Sequence, residues 1–181
     1  MNLWELPTQA TIHGKTYPHV TDFRVILWII GILNGSGHPK YRWIRALAAF
    51  FLEEMPPFAE GTRYLSDFLS CGEPEPACPQ PGLVDWQRDT REILEGVNAV
   101  AGEDIRLKES LHWWSFLSLF HSIREGALAD LVSIRQKRRE GKKLTEAEQA
   151  YVRSHPEKFR PQESPEDKQQ RQRLEALLRG S

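Results

Sequence analysis

Residues 107–123 (LKESLHWWSFLSLFHSI) place the strongest limit on what this chain can fold into. Read as a helix, Leu111, Trp114 and Leu117 fall on one side and Trp113, Phe116 and Phe120 on another, so its apolar arc is too wide for a surface helix. Such a segment should be central. With 181 residues there is enough chain for one domain with a proper core. A hydrophobic content of 40% and a charged content of 27% fit a globular protein rather than a disordered or fibrous one.

The pattern along the chain predicts a mainly α fold: a single helical domain of about six to seven helices, opened by a short β-hairpin and closed by a polar helical tail. Two β-prone stretches within residues 9–18 flank His13-Gly14, where glycine supplies the positive φ of a tight turn. Thr21-Asp22 then offers a cap for a helix to residue 33, apolar nearly all round and ended by Asn34-Gly35-Ser36-Gly37. Helical spacing continues over 39–54 (Trp43, Leu47, Phe50, Phe51) and 60–70 (Tyr64, Leu65, Phe68, Leu69), up to a Pro-rich loop. Asp85 is expected to cap a helix to residue 101, and further helices are expected over 107–123 and 127–139. Thr145 and Glu148 have capping-box spacing, and Pro156 closes the helix they start. Ser164-Pro165 opens a last, polar helix with the stripe Leu174, Leu177 and Leu178.

Charge divides unevenly. Residues 135–181 hold 13 Lys/Arg and 8 Asp/Glu, which leaves 11 and 17 for residues 1–134. The expected organisation is therefore a helical core over 1–134 and a basic, largely helical extension over 135–181. The run Arg135, Lys137, Arg138, Arg139, Lys142, Lys143 raises a nucleic-acid reading, but it lacks interleaved aromatics and the body is acidic. The longest apolar run, residues 25–33, reaches less than half of the roughly 20 residues a membrane helix needs. No secretory pattern opens the chain, so a cytoplasmic location is expected.

Chemistry finds no purchase. The glycines at 31, 35 and 37 precede Lys40, yet His38-Pro39 interrupts the Gly-Lys-Ser/Thr that a phosphate loop needs. Six scattered histidines have no ligand spacing, and Cys71 and Cys78, read as free thiols, have no second pair to complete a zinc site. Glu53 and Glu54 point about 100° apart on a helix, which is no acid-base dyad. His112 beside Trp113 reads as a histidine at the edge of a core. No enzyme, cofactor or metal is expected.

Two segments carry a resemblance. Leu6-Pro7, the His13-Gly14 turn, Tyr17-Pro18 and Thr21-Asp22-Phe23-Arg24 form one, and Leu111-His112-Trp113-Trp114 with Phe116 forms the other, more specific one. Together they resemble the bacteriophage gene-product-fifteen family, small tail-region proteins of long-tailed phages and prophages of Gram-positive hosts. That resemblance implies a tail-assembly chaperone in the cytoplasm of the bacterial host, binding the tape-measure protein and possibly the tail tube protein. Homo-oligomers are compatible with it. A structural tail or connector component and a nucleic-acid-binding phage protein are the alternatives. The candidate partner-binding residues are Trp28, Trp43, Trp113 and Trp114, set against the ordinary fate of large aromatics, burial in their own domain.

Overall fold

The computed structural model describes residues 4–72 and 83–160. Among these the chain is mainly helical, with seven α-helices and one two-stranded antiparallel hairpin. It forms two compact units, divided between residues 72 and 73, each with its own core. This differs from a core over 1–134 with an extension after it: position 134/135 falls inside a continuous helix. The reason is Arg135, whose side chain turns into the second unit against Asp89 instead of opening a solvated tail. Cys78 and the helix expected from Ser164, with Leu174, Leu177 and Leu178, lie outside the described residues.

In the first unit, β1 (Gln9–Ile12) pairs with β2 (Lys15–Pro18) in a register that sets Ile12 opposite Lys15. The two turn residues both have positive φ, 51° at His13 and 77° at Gly14, as a two-residue hairpin of matching twist demands. Helix α1 (Phe23–Leu33) starts at Asp22, whose carboxylate accepts the Arg24 backbone N–H at 3.0 Å. A short connection leads to α2 (Pro39–Phe50), which packs along α1 and starts at His38 with Pro39 in its first turn. Arg42 of α2 donates to the carbonyls of Leu33 and Gly35 at 2.8 and 2.9 Å, capping the negative end of α1 with a cation.

Helix α2 stops at Phe50, short of the expected residue 54, because tertiary pairing competes for its next residues. Phe51 is extended and bridges His19, the Val20 N–H donates to the Phe50 carbonyl, and the Leu52 N–H donates to the Pro18 carbonyl. Helix α3 (Phe58–Leu69) then packs on α2, with Gly61 close against Pro56 and Leu47. Phe50, Phe68, Leu47, Leu65, Ile26 and Ile29 are fully or almost fully buried and form the core of this unit. Each contributes about 1.5–3 kcal/mol by burial.

The second unit is built on α4 (Thr90–Ala101), which packs on α5 (Trp113–His121) and α6 (Ala127–Arg139); α7 (Glu146–Ser154) and a closing 3-10 turn (Pro156–Phe159) follow. Asp85 caps a helical turn, accepting the N–H groups of Gln87 and Arg88, so the regular helix begins four residues later than expected, with Asp89 at its N-cap. The segment expected as one helix over 107–123 is split. Asp104 caps a 3-10 turn (Ile105–Leu107), and α5 starts only at Trp113, because the His112 imidazole accepts the Trp114 backbone N–H at 3.1 Å. Helix α5 is nonetheless central: Trp113, Trp114, Phe116, Leu117 and Phe120 are all buried. The Thr145/Glu148 capping box forms in both directions.

Candidate protein-binding surface

Two polar clusters could be taken for sites. In the first unit, the buried His19 ring stacks on Phe50 at 4.4 Å and donates from Nδ1 to the Val20 carbonyl at 2.9 Å. The Tyr64 hydroxyl lies 3.0 Å from both His19 Nε2 and the Gln9 carbonyl, and burial pushes its pKa up to about 12. The hydroxyl joins α3 to β1, which is positioning work for the hairpin.

In the second unit, the Asp89 side chain is wholly buried against Arg135, whose side chain is 9% exposed. All five guanidinium N–H donors have acceptors: the two Asp89 oxygens, the Leu83 carbonyl, and the Lys158 carbonyl twice. Alongside, Lys158 reaches Glu92 and the Arg88 carbonyl, both at 2.8 Å. Burial pushes the Glu92 carboxyl up, but the Lys158 ammonium and a backbone hydrogen bond together hold the group below its usual range. With all five Arg135 donors engaged and Lys158 held between Glu92 and the Arg88 carbonyl, the cluster ties α4, α6 and the closing turn together, which is structural work.

The same contacts absorb much of the basic run. Arg135 is in the buried pair, Lys137 binds Glu148 at 2.6 Å, Lys142 binds Glu140 at 2.7 Å, and Arg138 lies over the Phe159 ring. Hydrogen bonding to Lys137 holds Glu148 below its ordinary value. These cations stabilise a helix C-terminus and its neighbours, which weakens the nucleic-acid reading. Among the described residues no group of three or more His, Cys, Asp or Glu is placed to hold a metal ion. No helix among them is long and apolar enough to cross a membrane.

The two resemblance segments prove to be structural at their centres. Asp22 and His112 are helix caps, and each is followed by an aromatic that the core takes up: Phe23 at 3% and Trp113 at 0% exposure. Tyr17 and Phe116 are buried, Pro18 ends β2, Thr21 and Leu111 are half-buried, and Arg24 turns back onto Asp22 with two side-chain bonds of 2.8 Å. Leu6 is exposed and Pro7 half-buried at the start of the described chain. Of the four candidate tryptophans, Trp113 and Trp114 are core residues of the second unit and do not line a surface.

Trp28 and Trp43 lie on the packed pair α1 and α2. Helix α1 turns Phe23, Ile26 and Ile29 inward and leaves Trp28 59% exposed, with Leu27 and Ile32 half-buried beside it. Trp43 is half-buried at the margin of α2. The exposed side of α2 adds Lys40, Tyr41, Arg45 and Ala48, with Ile44 half-buried between them. The residues that tryptophan-spotting misses are Lys40, Tyr41 and Arg45. Their signal is compositional: residues 23–50 contain Arg24, Lys40, Arg42 and Arg45 and no Asp or Glu at all. Compared with known protein-family models, with curated proteins and with solved structures, the chain matches none.

Proposed function

We propose that this chain is a protein-binding, non-catalytic factor of phage tail assembly, a chaperone that holds the tape-measure protein in the cytoplasm of the host until the tail tube forms around it. The observation that carries this reading is the outer face of α1. A helix whose single charged residue is Arg24 keeps a tryptophan largely in solvent, and α2, packed along it, carries a second exposed aromatic, Tyr41. Exposed apolar surface of this kind marks interaction sites. The resemblance of residues 6–24 and 105–123 to the tail-region family supplies the biological setting, and the tape-measure protein is the partner that setting implies.

A chaperone acts and then leaves. Particles purified after induction of the strain that carries the gene are therefore expected to lack this chain, while the induced cells contain it. Finding it in particles at a stoichiometry near that of tail proteins would overturn the chaperone role and make it a structural component.

A further inference from the structure

We infer that the outer face of the α1–α2 pair receives an acidic amphipathic helix of the partner protein, with Trp28 as the apolar anchor and Lys40 and Arg45 selecting for carboxylates. The inference rests on the protein-binding reading and names the chemistry of the segment bound. Charge is what identifies the occupant. Across residues 23–50 there are four cations and no anion, and none of the salt bridges among the described residues engages Lys40, Arg42 or Arg45. Other cations of the chain do pair with carboxylates, Lys15 with Glu54 and Arg91 with Glu95 among them. Arg24 pairs with Asp22 and Arg42 with two backbone carbonyls, which leaves Lys40 and Arg45 exposed on the same helix pair as an apolar strip. On α1 it runs from Arg24 through Trp28 to Ile32, positions one and two turns apart on one side of the helix. On α2, Tyr41, Ile44 and Ala48 form a matching strip, with Lys40 and Arg45 at its edges.

An apolar strip with cationic margins complements a helix with an apolar stripe and glutamate margins. Affinity comes from the buried anchors, and the charges supply orientation and choice of partner. A nucleic acid would engage the cations but leave Trp28 and Ile32 facing a phosphate backbone. Its binding would also collapse with salt, which an anchor of this kind resists.

The test uses the full chain and two synthetic fluorescein-labelled helices of about 15 residues, long enough to cover α1. Both carry leucines at i, i+3, i+4 and i+7; one has glutamates at the margins and the other lysines. Fluorescence anisotropy is expected to show the glutamate peptide binding at least about tenfold more tightly than the lysine peptide. W28A should weaken the glutamate peptide about tenfold or more, and K40E/R45E should reverse the preference. Trp28, Lys40 and Arg45 are exposed, so all variants should keep the wild-type circular dichroism and melting temperature. Equal binding of both peptides, no binding of either, or binding unchanged in W28A overturns the inference. So does a single-stranded oligonucleotide or a vesicle of anionic phospholipid binding through these residues when the peptides do not, or salt-independent self-association that W28A abolishes. If W28A/K40E/R45E still retains a co-expressed tape-measure protein, this face fails while the functional reading stands. If the wild-type chain retains none yet binds the glutamate peptide, the reverse holds.

Discussion

Replacing Arg135 by methionine tests the claim that the basic run begins inside a core. The substitution keeps a long apolar stem and removes the guanidinium. Asp89, wholly buried, would keep the Asp85 backbone N–H as a donor, at 2.8 Å. Breaking a buried ion pair from one side costs about 3–5 kcal/mol, since the remaining charge stays uncompensated. The Leu83 and Lys158 carbonyls also lose their donors, at about 1 kcal/mol each, partly offset by the packing of the methionine stem. The net loss is about 4 kcal/mol, a large share of the 5–15 kcal/mol that small domains possess. At about 2–8 °C per kcal/mol, Tm should fall by at least about 8 °C, followed by far-ultraviolet circular dichroism. K143M, on an exposed lysine of the same run, should stay within about 0.5 kcal/mol of wild type. R135K should recover only part of the loss, because an ammonium cannot fill a five-donor fork. A Tm for R135M within about 2 °C of wild type would refute the argument and return Arg135 to a solvated tail.

Other consequences follow from the local geometry. T145A removes one arm of the capping box and should cost about 1 kcal/mol, with amide exchange accelerating first at Glu148; unchanged protection there would mean that α7 does not depend on its cap. The Arg106 side chain and backbone N–H hold the Asp104 carboxyl at about 2, against an ordinary 3.8. A carboxyl depressed in the folded state contributes stability that is present above its ordinary value and lost as pH falls through about 2. Nuclear magnetic resonance titration of this carboxyl should therefore show a midpoint near 2, and a midpoint near 4 would contradict the pairing.

The hairpin, α1, α6 and the capping box at Thr145 were legible because their signals are local: a His-Gly turn, an Asx cap before an apolar run, and a Thr-x-x-Glu spacing. The end of α2 was not, since Phe51 leaves the helix only to pair with His19, a partner far away in sequence. Nor was the delayed start of α5, where a histidine does the capping that Ser, Thr, Asp or Asn usually does. Arg135 looked solvated because charge runs carry no mark of burial, and its partner Asp89 lies on another helix. The binding face shows the same limit. In α1 almost every position is apolar, so periodicity cannot say which side meets the core, and it is the burial of Phe23, Ile26 and Ile29 in the fold that turns Trp28 outward. The acid-free stretch 23–50 is plain in the sequence, yet it becomes a surface only once α1 and α2 are known to pack together.

The most direct test of protein binding is co-expression of the tagged chain with the tape-measure protein from the same gene cluster, followed by affinity purification in high salt. The account predicts a soluble complex that survives the salt wash, because apolar contacts carry the affinity. A tape-measure protein that stays insoluble, with the tagged chain recovered alone, would contradict it.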